Sequence, residues 1–452
     1  MTLLNELSAE VCQRARMSRD PRFDGRFFVA VKTTGIFCRP ICPANLPKEE
    51  NVEYFSSQAL AVSAGYRPCL RCRPESAPHS WAWKGAETTF LRALTLIEQG
   101  ELDGSLETLA SRLGISDRYL RQLFQRHLGM PPKQYAQIQQ LMFAKQLLHT
   151  SQISITEVAY VSGFQSTRRF NDAFQKLFRL TPTQVRRERA ALPSRNHLSL
   201  AFRGPFDWSH MLDFYRLRAI EGMELVDEQS YQRHFVLGEG TGWFKASMAQ
   251  SHLDIEFEME RLSDLRHLVA RLRRMFDLDA DLISIEAHLE QLAPGLVRRT
   301  GIRIPGVWNA WEAGVRAVLG QQVSVKAAIG QLNLLVSTLA ASEGSTRYFP
   351  TPEQVQMSDL SFLRMPERRK ETLKRLADYV RLHPMDSPMA WLSLSGIGPW
   401  TVDYAQLRGE SRSHCFLTGD LIVKKALAKF PQLTAESVAP WGSYATFHCW
   451  SH

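Results

Sequence analysis

Four of the seven cysteines stand in two short hooks, Cys38-Arg-Pro-Ile-Cys42 and Cys69-Leu-Arg-Cys72, with 26 residues between them. Thiolates at C-x3-C and C-x2-C spacing can take the corners of a tetrahedron, the geometry that Zn²⁺ accepts. The other cysteines, Cys12, Cys415 and Cys449, are scattered singly. Spacing alone favours a closed zinc site that staples a small domain. A reactive site would use the same residues, because a metal keeps sulfur as thiolate, the nucleophilic form. Two further kinds of stretch carry chemistry. Arg118, Arg121 and Gln122, and later Gln165, Ser166, Arg168 and Arg169, place groups that bond bases and phosphates on segments that read as helices. Gly396-Ile-Gly398 sets two glycines where backbone N–H groups and a helix N-terminus can meet a phosphate.

The elements that must hold the cysteines are short. The pattern predicts an amphipathic stretch over 7–16, strands over 23–31 and 52–55, and a helix over 57–64 ended by Gly65. Residues 74–80, with two prolines, read as a linker. Thr33-Thr34-Gly-Ile-Phe-Cys38-Arg-Pro-x-Cys42 followed by Gly65-Tyr-Arg67-Pro-Cys69-Leu-Arg-Cys72 resembles the N-terminal domain of the bacterial adaptive-response (Ada) family. The resemblance implies that Cys38, Cys42, Cys69 and Cys72 bind Zn²⁺ and that Cys38 takes a methyl group from a DNA phosphotriester, once per molecule. Four thiolates on Zn²⁺ carry a net charge of −2; methylation of one brings it to −1 and lowers repulsion from DNA phosphates. Thr34 and Arg67 match DNA-contacting positions of that family. Pro43 and Asn45 stand where it usually has arginines, so Asn45 is a weaker contact and DNA binding should be weaker too.

Residues 106–127 read as a short helix, a Gly114-Ile115-Ser116 turn and a second helix over 117–127; residues 155–177 repeat the pattern around Gly163, with the second helix over 165–177. A helix over 132–149 joins the two and sets their separation. Small alanines beside a glycine turn let two helices cross closely, and a basic second helix suits the major groove. Two such units followed by Phe178-Arg-Leu-Thr-Pro182 resemble AraC-type transcription activators, which implies promoter DNA and RNA polymerase as partners. Arg186-Arg187-Glu-Arg189 reads as a solvated helix end or a phosphate contact.

Beyond residue 195 the pattern shows strands over 231–237 and 253–258, a helix over 207–219, and mainly helices from His267 onward. Leu394-Ser-Gly396-Ile-Gly398-Pro-Trp400-Thr401 has the form of a helix-hairpin-helix turn. With Phe416-Leu-Thr-Gly-Asp420 it resembles the helix-hairpin-helix base-excision glycosylases. Phe206-Asp-Trp208, the stretch from Arg316 through Gly320 to Val323, and Pro440-Trp-x-Ser-Tyr-x-x-x-His448-x-Trp450 narrow the likeness to 3-methyladenine DNA glycosylase II (AlkA). The resemblance implies Asp420 as the catalytic carboxylate, Trp400, Tyr404 and Trp450 as the pocket, Gln322 as the residue that wedges into the duplex, and Gly396, Gly398 and Thr401 as DNA contacts. Alkylation makes a purine cationic, aromatic faces favour a cation, and a fixed carboxylate stabilises the oxocarbenium character of the departing sugar. Asp403, inside the second hairpin helix, is the rival carboxylate. Bifunctional relatives carry a lysine where this chain has Trp400, so no lyase activity is expected. The chain ends two residues past Trp450, so fraying of the last pocket wall is expected.

Composition fits this plan. Residues 1–190 hold 26 Lys+Arg and 17 Asp+Glu, a net of +9, and the remaining 262 residues hold 29 of each. A basic front half suits polyanion binding. No apolar run approaches the roughly 18 residues of a membrane span, and the N-terminus lacks the pattern of a secretion signal, so a cytoplasmic monomer without membrane association is expected. The expected architecture is multidomain. It comprises a small α/β zinc domain (1–82), an all-α tandem helix-turn-helix domain (85–190), an antiparallel sheet subdomain (197–265) and a helical helix-hairpin-helix domain (266–452), the last two forming an α+β glycosylase. The expected function is an alkylation response: methyl acceptance on Cys38, transcription activation, and release of bases such as 3-methyladenine from double-stranded DNA. Two alternatives share the sequence: a glycosylase whose front half only anchors it to DNA, and a regulator with an inactive glycosylase. Retention of Asp420, Trp400, Tyr404 and Trp450 argues against the second. No Pro-Cys-His-Arg motif is present, so O6-alkylguanine repair is not expected.

Overall fold

The computed structural model describes residues 8–20, 23–56, 58–69, 71–72, 74, 81–98, 100, 102, 105–187, 196–339, 342–343, 346–384 and 386–451. They form two compact units, Met1–Gln139 and Gln140–His452.

In the first unit α1 (Ala9–Ser18) starts at Ser8, whose hydroxyl accepts from the Val11 N–H, and stops at Arg19 in the left-handed region. The strands β1 (Phe28–Val31), β2 (Ile36–Cys38), β3 (Val52–Phe55) and β4 (Arg67–Pro68) form a sheet in the order β3-β1-β2-β4. The expected strand from residue 23 begins only at Phe28, because Gly25, at φ +80, turns the chain beforehand. Alternate residues of β1 enter two cores. Val29 joins Cys12, Ala15, Phe27 and Val52; Phe28 and Ala30 join Phe37 and Ala61 of α2 (Gln58–Ser63). Most of the expected linker over 74–80 lies outside the described residues.

A helical group follows: α3 (Trp81–Glu98), α4 (Leu106–Arg112) and α5 (Asp117–Leu128). Ser105 and Ser116 cap the last two. Leu109, Ala110, Leu120, Leu123 and Phe124 close on Phe90 and Ile97. The helix α6 (Pro132–Thr150) runs across the boundary between the units, close to its expected span.

In the second unit α7 (Ile155–Val161) opens with a Ser154–Glu157 capping box. Its partner α8 (Thr167–Phe178) starts two residues later than expected, since the Ser166 hydroxyl accepts from the Arg169 N–H and serves as the cap. A short α9 (Pro182–Arg187) follows. A five-stranded antiparallel sheet then forms from β5 (His197–Ala201), β6 (Glu224–Val226), β7 (Ser230–Leu237), β8 (Gly240–Met248) and β9 (His252–Met259), in the order β5-β9-β8-β7-β6. The pattern had shown two of these. Glycines hide β8: a Cβ on Gly242 would lie 2.4 Å from the Glu258 carbonyl oxygen, so the closeness of the neighbouring strand requires the residue type that propensity counts against a strand. One face of the sheet packs on α10 (Trp208–Arg216) and α11 (Leu265–Met275).

The remainder is helical: α12 (Leu282–Leu292), α13 (Ala310–Gly320), α14 (Val325–Leu339), α15 (Pro352–Met357), α16 (Glu367–Leu382), α17 (Pro399–Gly409), α18 (Leu421–Lys429) and α19 (Gly442–Trp450), with a two-residue strand pair β10 (Ser342–Glu343) and β11 (Thr346–Arg347). Trp311 through Leu319 of α13 are all buried, Glu312 and Arg316 included. Glu312 bonds Arg233 Nη1 at 3.1 Å and Arg316 Nε at 2.9 Å; Glu224 completes the ring to Arg233 at 2.9 Å and Arg316 at 3.1 Å. Burial alone would raise the Glu312 carboxyl, but the facing guanidiniums outweigh it and hold it down at about 2. Removing this carboxylate leaves two buried cations sharing the single charge of Glu224. Glu312→Ala is therefore expected to cost about 3–5 kcal/mol in denaturant unfolding at neutral pH. In the native chain the Glu312 contribution is present above about pH 4.3, the unfolded glutamate value, and is lost as pH falls toward about 2.

Candidate functional site

The first site lies where β2 and β4 pair in parallel, Ile36 opposite Arg67. The Cys69 N–H donates to the Phe37 carbonyl at 3.0 Å, which brings the second hook against the first. The four sulfurs of Cys38, Cys42, Cys69 and Cys72 all lie within 4.8 Å of one another. A tetrahedral site with Zn–S near 2.3 Å needs sulfurs about 3.8 Å apart, so a small contraction suffices. The hydrogen bond to Cys72 pushes the Cys38 thiol far up while Cys72 is drawn down to about 6. Four sulfurs this close cannot all ionise unless a cation joins them, and the donor set fits Zn²⁺. Arg39 braces the group: its N–H points to Cys72 Sγ at 3.4 Å and its Nε holds Asp24 at 2.8 Å. Cys38, half-buried, opens on a cavity of 340 Å³ lined also by Thr34, Asn45, Arg16 and Ile36. Arg67 is exposed but does not line that cavity.

The helical readers stand as separate surfaces. Arg118 and Gln122 are exposed on α5, while Arg121, also exposed, pairs with Asp117 at 3.0 Å. Arg168 and Arg169 are exposed on α8, and Gln165 is exposed in the turn before it. The Ser166 hydroxyl accepts from the Arg169 N–H as the cap of α8 at 3.3 Å.

The third site is a cavity of 540 Å³ in the second unit. Trp400 and Tyr404, one turn apart on α17, stack at 5.3 Å. Trp450 stacks on Phe214 at 6.3 Å and 14°. Asp420 sits at the start of α18, where its Oδ1 accepts from Ile422 N–H (2.9 Å), Val423 N–H (3.2 Å) and the Trp450 indole N–H (3.1 Å). The wall expected to fray is thus seated, with Trp450 tied to the carboxylate itself. Asp403 does not line the cavity; burial raises its carboxyl. His210, Phe214 and Arg218 line it and were not foreseen. Their spacing of four puts them on one face of α10 and its C-terminal turn, a signal that the period of the segment carries. Arg218 lies 3.7 Å over the Phe214 ring, and burial brings its guanidinium down to about 10.

A cleft of 1140 Å³ shares Trp400, Asp420 and Leu421 with that cavity, and Gln322, Arg368, Arg369 and Gly396 also line it. Gly396 has φ +92, and a Cβ there would fall 2.1 Å from Thr372 Oγ1 of α16, so only glycine fits the hairpin. Gly398, the N-cap of α17, faces open space. Thr401 is buried and its hydroxyl accepts from Gln321 Nε2 at 3.2 Å. Gln322 is exposed at φ +57.

Three family models match the chain: the metal binding domain of Ada over residues 11–75, a helix-turn-helix domain over 109–188, and the AlkA N-terminal domain over 197–309. A Mycobacterium tuberculosis protein named "Probable bifunctional transcriptional activator/DNA repair enzyme AlkA" is 34% identical over 475 residues, covering 98% of this chain and 96% of the relative. The "DNA-3-methyladenine glycosylase 2" of Escherichia coli is 34% identical over 277 residues, covering 56% of this chain and 96% of its own length. The E. coli "Bifunctional transcriptional activator/DNA repair enzyme Ada" is 35% identical over 170 residues, covering 38% of this chain and 47% of its own. The cysteine cluster is a Zn²⁺ site, and the fold is the expected multidomain one. No helix among the described residues is long and apolar enough to cross a membrane.

The two cores beside the cysteines contain nine buried residues between them, too few to hold so small a domain without its metal. Zinc removal by a chelator is expected to make the segment around Cys38–Cys72 sensitive to limited proteolysis, while the cavity in the second unit keeps its protection. Readdition of Zn²⁺ should restore resistance.

Proposed function

The chain belongs to the family of the mycobacterial bifunctional transcriptional activator/DNA repair enzyme AlkA, and on that premise we propose that it repairs alkylated double-stranded DNA by base excision and senses the damage through Cys38. The observation that carries the excision reading is Asp420, pinned through Oδ1 by three N–H donors at the mouth of an aromatic cavity. Oδ2 makes no hydrogen bond to the described residues and is left to act. A purine alkylated on a ring nitrogen is flipped into the cavity and stacks against Trp400, Tyr404 and Trp450, whose faces attract its positive charge. The glycosidic C–N bond breaks with its electron pair going to the base, which leaves neutral. Asp420 stabilises the positive charge on the sugar, water adds at the anomeric carbon, and its proton passes to the carboxylate or to solvent. The products are the free base and an abasic site. Trp400 offers no amine, so the strand is not cut.

On the sensing side, Cys38 sulfur bonds to the methyl carbon of a phosphotriester, the C–O bond breaks, and its electron pair stays on the phosphate oxygen. Bound Zn²⁺ would supply the charge that keeps the four sulfurs as thiolates. Thr34, Asn45 and the exposed Arg67 orient the phosphate. The thioether is stable, so Cys38 acts once. The exposed side chains of α5 and α8 then place the protein on promoter DNA, with RNA polymerase as the partner and the chain acting as a monomer.

Asp420→Asn keeps an oxygen that can cap α18 but loses the charge. Release of 3-methyladenine from methylated duplex, followed by chromatography, is expected to fall by about 10²–10³ while duplex affinity is unchanged. Full turnover by this variant sinks the excision mechanism.

A further inference from the structure

The turn between α13 and α14 holds a residue in a conformation that its own type disfavours. Gln322 is not a glycine, yet it has φ +57 and projects from an exposed turn into the cleft that Asp420 also lines. A side chain holds such a backbone only where its surroundings over-determine it, and strain of this kind concentrates at functional positions. The neighbouring side chain supplies the constraint. Gln321 Nε2 donates to the Gly396 carbonyl at 3.1 Å and to the buried Thr401 hydroxyl at 3.2 Å, reaching 75 and 80 residues along the chain. Both acceptors belong to the glycine hairpin. That hairpin is itself pressed onto α16, since no atom beyond the Gly396 Cα fits against Thr372. The α13–α14 turn, the hairpin and α16 are thus joined through one amide group.

We infer that Gln321 is a positioning residue that locks the Gln322 turn to the phosphate-binding hairpin, so that capture of a DNA phosphate by the hairpin presents Gln322 to the duplex at a fixed offset. The inference rests on the reading of this chain as a base-flipping glycosylase and adds to it a residue that touches neither base nor phosphate. Gln321 is half-buried at the edge of the cleft, and its Nε2 hydrogens are spent on the hairpin, so they are not offered to a phosphate. Its effect is to remove the loop ordering that insertion would otherwise require.

The test uses the full chain and the variants Gln321→Met, which keeps length and volume without the donor, and Gln321→Glu, which sets an acceptor against the Gly396 carbonyl. Thermal melting checks that each is folded. Three quantities are read: 2-aminopurine fluorescence beside the lesion as a report of unstacking, single-turnover base release at saturating protein, and affinity for undamaged duplex across a salt series. Loss of the lock should remove most of the fluorescence rise and slow release by about 10²-fold, with undamaged-duplex affinity and its salt slope unchanged. Unchanged fluorescence and release in both variants overturn the inference. A fall of affinity in proportion to release also overturns it, by reducing Gln321 to a support of the hairpin alone. If the native chain raises the fluorescence but releases no base, the glycosylase reading fails, and the lock is still decided by the fluorescence contrast.

Discussion

Glu312, a carboxylate with no exposed surface, is the constraint on which the architecture of the second unit depends. It lies on α13, a helix buried on every side, where an isolated charge would be expelled or neutralised. Arg316 from the same helix and Arg233 from β7 meet it, and Glu224 from β6 returns a second negative charge to both. Two cations and two anions close a neutral ring, so the sheet and the helical layers must come together in one register to satisfy it. Arg316 also lines the aromatic cavity. The same ring that fixes sheet against helix therefore fixes one wall of the pocket.

The working groups of the pocket follow from helix ends. Asp420 caps α18, Gly398 caps α17, and Gln321 ends α13; Asp420, Gln321 and Trp400 from the first turn of α17 line one cleft. A helix N-terminus needs an acceptor for its free N–H groups, and here the acceptor is the carboxylate that the proposed chemistry uses. Capping consumes Oδ1, so under the proposed mechanism, which uses Oδ2, stability and reactivity draw on different atoms of one side chain. Sulfur plays the corresponding part in the first unit. The contacts that crowd Cys38 against its three neighbours create the need for a cation, and the cation in turn permits the thiolate on which the proposed methyl transfer depends.

Local rules were readable and long-range ones were not. The cysteine hooks, the Ser116 helix start and the Gly396-Ile-Gly398 hairpin each declare themselves within a few residues. Their positions in the fold agree with that local chemistry. The strand β8 was missed because close packing at Gly242 demands a residue that reads as a breaker. Ser166 and Thr401 stand beside stretches that read as DNA-facing, and nothing local says that the Ser166 hydroxyl caps a helix or that Thr401 is buried under Gln321. Glu312 passed unnoticed since its partner Arg233 lies on a distant strand. The α10 face of His210, Phe214 and Arg218 was visible as a period of four, but nothing local says that such a face lines a cavity.

On the proposed function one chain acts on alkylated DNA twice, as methyl acceptor and as base-releasing enzyme. The most direct measurement is a single incubation of the zinc-loaded chain with methylated duplex containing methylphosphotriesters, analysed by peptide mass spectrometry for methyl-cysteine and by chromatography for free base. The account predicts one methyl group per molecule, on Cys38, together with repeated release of 3-methyladenine. Free base with an unmodified Cys38 would reduce the front half to an anchor, methyl-Cys38 without free base would reduce the second half to a relic, and either result contradicts the account.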